Sequence, residues 1–129
     1  MDDLVQWLGQ QLDEDERIAR AATRGPWVQS GIGDYGWTVD FGRPGAGVET
    51  ADTDQGLADA DFIADHDPAR VLREIAAKRE ALVHCERIRQ HTRQGEEVYV
   101  LAEGAVAKQI QIMAAAYNQR PGYREEWAP

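Results

Sequence analysis

The sequence predicts an α+β fold in which three main helices pack with a small antiparallel β-sheet, as a single domain of residues 1–129. Three observations predict it. Apolar residues recur at helical spacing near the start, in the middle and near the end of the chain. After the first helix come short runs of Trp, Val and Thr separated by glycine-rich turns, the composition of brief strands. A chain of 129 residues buries roughly two-thirds of its unfolded surface, so one core needs no covalent staple.

The first helix is predicted over residues 2–22. Asp2 and Asp3 complement the positive end of its dipole, and Leu4, Val5, Trp7, Leu8, Leu12, Ile18, Ala19 and Ala22 share one face at about 100° per residue. Asp15 falls in the middle of that apolar face. A carboxylate there is costly unless it is paired, so Asp15 is either a packing salt bridge or a functional acid. Gly25-Pro26 turns the chain. Strands follow at Trp27-Val28, Trp37-Thr38-Val39 and Val48-Glu49-Thr50, and the sheet they form needs a helix over one face.

Residues 59–65 read as one or two helical turns carrying Phe62 and Ile63. Asp67-Pro68 then starts the second long helix, with the acid at the N-cap and proline at the first helical position. Its stripe is Val71, Leu72, Ile75, Ala76, Leu82 and Val83. Beyond Cys85 the stripe would continue through Glu86, Arg89 and Arg93, so the helix should leave its packing partner there, and Gln94-Gly95 should close it. The third helix is expected from Glu96 to Tyr117, with Val98, Leu101, Ala102, Ala105, Val106, Ile112, Met113, Ala116 and Tyr117 on its core face. Tyr123 and Trp127 in the tail should pack back on the domain.

Charge bounds the function classes. The net charge is −9, from 23 acids and 14 bases, which opposes direct nucleic acid binding because phosphates require clustered Lys and Arg. Residues 34–67 hold nine acids and only Arg43 as a base, while residues 68–94 hold seven bases and three acids. These two stretches are expected to face each other. The acidic start Met1-Asp2-Asp3 lacks the basic region of a secretory signal, no apolar run approaches a membrane span, and the single Cys85 excludes an internal disulfide. A cytoplasmic location without membrane contact is the expectation.

The motifs that carry chemistry are few. His66-Asp67 has the composition of a metal or proton-sharing pair, but Asp67 is better explained as a helix cap. His84 and His91 share a helical face from which Cys85 points away, so they and Cys85 do not complete a zinc site. The acids of residues 52–65 do not match the spacing of a calcium loop, and the glycines at 31, 33 and 36 do not form a dinucleotide-binding fingerprint. No metal and no cofactor is therefore expected. The candidate ligand or partner residues are Asp15, Trp27, Trp37, His66 and Arg70, the tryptophans as a stacking platform beside Tyr35.

Three stretches together resemble a family of actinobacterial and actinophage proteins, the domain of unknown function six-two-two-one. They are Leu4 to Ala22 with its Leu-Asp-Glu-Asp-Glu run, Ala60 to Glu74 with His66-Asp67-Pro68-Ala69-Arg70, and Ala116-Tyr117 followed by Pro121-Gly122-Tyr123-Arg124-Glu125-Glu126-Trp127. Residues 22–27 also resemble a wider set of small phage proteins. The resemblance implies a lineage rather than a reaction. Many members carry several cysteines between the second helix and the tail, implying a zinc knuckle, whereas this chain has only Cys85 and lacks that segment's pattern. Residues 86–109 then read as a variable insertion.

The expected function is a non-enzymatic accessory or protein-interaction protein of phage or mobile-element origin, acting through a protein partner. A small-molecule or nucleotide-binding protein, possibly a hydrolase, is the alternative, and would use Asp15, His66, Arg70 and the sheet aromatics. A homodimer is expected if the third helix keeps apolar surface that the first two do not cover.

Overall fold

The computed structural model describes residues 1–93 and 100–129, with the side chains of residues 92, 93 and 100 left aside. Helix α1 is Asp2–Ala21, strands β1, β2 and β3 are Val28–Ile32, Trp37–Asp40 and Gly47–Glu49, and helices α2, α3 and α4 are Asp54–Asp65, Pro68–Arg93 and Val100–Ala115. A short 3-10 turn, Glu125–Trp127, ends the chain. The class is α+β, with four α-helices among the described residues where the sequence predicts three main ones and a helical turn or two at 59–65. The described residues form two compact units, one of residues 1–14 and 75–129, the other of residues 15–74.

In the second unit the strands lie in the order β1-β2-β3, all antiparallel. Gln29 pairs with Val39 and Val39 with Val48, while a bulge between Gln29 and Ile32 is accommodated by Gly31 at φ +88°. Helix α2 packs against β1 and β2, and Val39 beneath it is 1% exposed. The sequence expects only one or two turns here, and the structure extends them to a helix of twelve residues. Thr53 explains the difference: its hydroxyl accepts from Gly56 N at 2.9 Å, an N-cap that begins the helix ahead of its apolar residues. Thr50 locks the approach, receiving β2 through its N–H to Trp37 O (2.8 Å) and donating its hydroxyl to Gly56 O (2.6 Å).

The first unit is closed by side chains. Leu4, Trp7, Leu8 and Leu12 of α1 are buried, as are Ile75, Leu82 and Cys85 of α3. On α4 the buried residues are Ile110 and Ala114, followed by Tyr117 just past the helix. This corrects the expected core face, because Leu101 is 90% and Ile112 49% exposed, and Ala105 and Ala116 are exposed with them. Val83 of α3 and Ile18 of α1 also stand half in solvent, contrary to their place in the expected stripes. The expected closure at Gln94-Gly95 and the expected helix start at Glu96 lie outside the described residues.

The tail packs back as expected. The Trp7 indole donates to Pro121 O (3.2 Å), its ring meets Tyr123 at 5.6 Å and Trp127 at 5.5 Å, and Gly122 at φ +89° lets the backbone pass against that ring.

Candidate functional site

Trp27, His66 and Arg70 gather around one residue the sequence assigns to capping. Asp67 Oδ1 accepts from Arg70 N at 2.9 Å, so Asp67 caps α3. Its Oδ2 accepts from Trp27 N at 3.4 Å, tying the turn before β1 to the start of α3. The side chains around it serve the scaffold. Trp27 stacks on Phe41 with ring centroids 4.0 Å apart and donates its indole N–H to Thr23 O at 2.8 Å. His66 stacks on Phe62 at 4.0 Å, with Nδ1 2.8 Å from Phe62 O. The Arg70 guanidinium pairs with Asp65 and, at 3.0 Å, with Glu74.

The other two candidates stand elsewhere. Trp37 is half-buried and donates its indole N–H to Thr53 O at 3.2 Å, which supports the start of α2. Asp15 is half-buried on α1 and has an interaction partner. Tyr35 is 85% exposed, while Trp27 stacks on Phe41.

The basic stretch meets the 34–67 segment through Arg70 and Asp65, whereas Arg79 and Arg89 find acids outside it. Arg79 meets Asp13 at 2.7 Å, and Arg89 meets Asp2 at 2.9 Å and Glu86 one turn away. Arg89 is only 3% exposed. The stripe that fails at Glu86 and Arg89 in the sequence is therefore continued by a buried charge, neutralised from both sides. Burial pushes the Arg89 guanidinium toward a lower pKa, and its hydrogen bonds to Asp2 and Glu86 more than offset this, leaving the pKa raised. Burial, helped by the neighbouring Glu86 charge, pushes the Cys85 thiol up.

Three of the surfaces among the described residues that the scaffold does not use bear on function. A mostly apolar groove of about 510 Å³ runs between Val5 of α1 and Leu82, Val83, Arg87 and His91 of α3. The outward side of α4 carries Leu101, Ala105 and Ile112, continued by Ala116 just past the helix. A concavity of about 370 Å³ lies at the end of α1, lined by Thr23, Arg24, Gly25, Phe41, Gly42 and Arg43. None of the three was legible as a site, although Arg43 stands out as the lone base of the acidic stretch.

Among the described residues no three His, Cys, Asp or Glu side chains gather where a metal ion could be held, and no helix is long and apolar enough to cross a membrane. No curated protein and no solved structure matches the chain. A family model does match, over residues 1–129, so that the Asp67-capped helix and the Trp7–Trp127 tail both fall within it. The chain belongs to the family of unknown function DUF6221.

Proposed function

We propose that the protein is a non-enzymatic accessory protein that acts in the cytoplasm through protein contacts, with the outward side of α4 as a contact surface. The exposure of Leu101 at 90% and Ile112 at 49% carries this reading. Across its 16 residues α4 has only Glu103 and Lys108 as charges. A helix that is apolar on both its inward and outward sides belongs in an interface, because a solvent-facing side normally carries charge. The commitment of Trp27, Trp37, His66 and Arg70 to scaffold bonds supports a binding role over catalysis. The resemblance to small phage proteins supports an origin in a phage or mobile element.

The first occupant proposed for this side is a second copy. Leu101, Ala105, Lys108, Gln109, Ile112 and Ala116 fall within one arc of the helix at 100° per residue. In an antiparallel two-fold pair, Leu101 meets Ala116, Ala105 meets Ile112 and Lys108 meets Gln109. Each large side chain then faces a small one, and neither lysine faces the other directly. Light scattering at high micromolar concentration tests it. A dimeric mass is expected for the parent and a monomeric mass for Leu101→Gln/Ile112→Gln. A monomeric parent overturns the pairing.

A further inference from the structure

We propose that Arg24 and Arg43 form a binding site for the phosphate group of a small ligand. The proposal uses residues remote in sequence from α4 and does not depend on the dimer. Its starting point is an imbalance. Acids outnumber bases 23 to 14, so most cations can find a carboxylate. Arg20, Arg70, Arg79, Arg89 and Arg124 each do so. Among the described residues Arg24, Arg43, Arg73 and Arg87 have no such partner, and of these Arg24 and Arg43 line one concavity together. Arg43 is left so within a stretch holding nine acids.

The two arginines are held together by backbone rather than by chance side-chain positions. A Cβ placed on Gly42 would stand 3.3 Å from Pro26 O and 3.5 Å from Gly25 C, so the two turns lie against each other. Gly25 and Gly42 both have positive φ, +88° and +94°, a conformation that other residues adopt only with strain. Phe41 forms a wall, stacked on Trp27, whose indole is anchored to Thr23 O. Each arginine is thus the neighbour of a residue in a fixed contact.

The chemistry selects the ligand. A guanidinium offers parallel N–H donors that match two oxygens of one phosphate, and two guanidiniums can neutralise a dianion. The carbonyl end of α1 at Ala21 carries about half a negative charge, so a single arginine would leave only about half a positive charge for an anion, and two leave about one and a half. A volume of about 370 Å³ lies at the small end of ligand cavities, which favours a small phosphorylated molecule over a macromolecular segment.

Amide NMR titration of the full chain tests this with inorganic phosphate, adenosine monophosphate and a phosphoserine peptide. Saturable shifts confined to the amides of residues 22–25 and 41–43 are expected with the first two probes. Arg24→Gln and Arg43→Gln should each weaken binding roughly tenfold or more. Arg20→Gln, the same charge change outside the concavity, should change it less than about twofold. The spectra themselves report whether each variant is folded. Shifts that do not saturate, equal weakening by Arg20→Gln, or saturation by the phosphopeptide alone would each overturn the proposal.

Discussion

In the unit of residues 1–14 and 75–129, side chains meet side chains: Trp7 is enclosed by Tyr123 and Trp127, and Leu4, Leu8, Ile110 and Ala114 are fully or nearly fully buried. In the unit of residues 15–74, backbone meets backbone. Gly36 lies against the carbonyl of Thr50 and Gly56 against that of Ala51, so closely that a Cβ at either position would overlap the oxygen. Val39 and Ala60 are the buried apolar residues of that sheet and its helix. The helical unit is specified by what its side chains add, and the sheet unit by what glycines such as Gly36, Gly47 and Gly56 omit.

The largest expected effect breaks this comparison where it is sharpest. Gly56→Ala forces a methyl group into the Ala51 carbonyl, and because that contact is backbone, no rotamer change relieves it. The expected loss is at least about 3 kcal/mol. Gly9 lies inside α1 with nothing within 4 Å of its added Cβ, so the same substitution there should gain about 0.5–1 kcal/mol from helix propensity. Urea melts of both variants beside the parent measure the contrast. A Gly56→Ala protein as stable as the parent would show that the close approach is not needed.

The same division decided what could be read from residues alone. Helix α1, the three strands and the Asp67-Pro68 start of α3 announce themselves through periodicity, residue type and capping, which are local. Helix α2 does so only over 59–65, because its acids at 54, 59, 61 and 65 look like a solvated loop and its cap, Thr53, precedes the first apolar residue. The core face of α4 was misplaced for the opposite reason. Its apolar residues lie nearly all round, so periodicity cannot choose between Ile110 and Ile112, and packing decides for Ile110. Of the candidate residues, Trp27, His66 and Arg70 do come together, but around a cap. Arg24 and Arg43 meet only through the folded turns, which no spacing rule connects.

A smaller effect sharpens the comparison from the helical side, where Arg89 is the one buried charge among the described residues. Its two carboxylate partners are more accessible than it is: the Asp2 side chain is 71% exposed and that of Glu86 is 28% exposed. Removing the arginine leaves two acids that water can solvate, whereas removing both acids leaves a guanidinium that it cannot. Arg89→Met should therefore cost about 1–2 kcal/mol, chiefly lost charge-assisted hydrogen bonds. Asp2→Asn/Glu86→Gln should cost more, about 3 kcal/mol. If the double variant is the milder of the two in a denaturant melt, the buried charge does not depend on these partners.

The smallest effect belongs to Asp67, where side chain and backbone logic share one carboxylate. Oδ1 serves the first turn of α3 at Arg70 N, and Oδ2 serves Trp27 N in the turn before β1. Pro68 has no N–H to satisfy, so the cap is directed to the next free donors. Asp67→Ala removes both bonds and should cost about 0.5–2 kcal/mol. Serine retains a capping oxygen but has no second oxygen for Trp27. Asparagine retains the Oδ1 cap but presents an amide N–H₂ toward the Trp27 donor. Both should recover most of the stability, because the bond to Trp27 at 3.4 Å is the longer and weaker of the two. Amide hydrogen exchange separates the two bonds. In Asp67→Ser the Arg70 amide should stay as protected as in the parent while the Trp27 amide exchanges faster. If alanine proves as stable as aspartate, the cap contributes nothing. If instead serine slows neither amide relative to alanine, the carboxylate acts by charge at the helix terminus rather than by its two directed bonds.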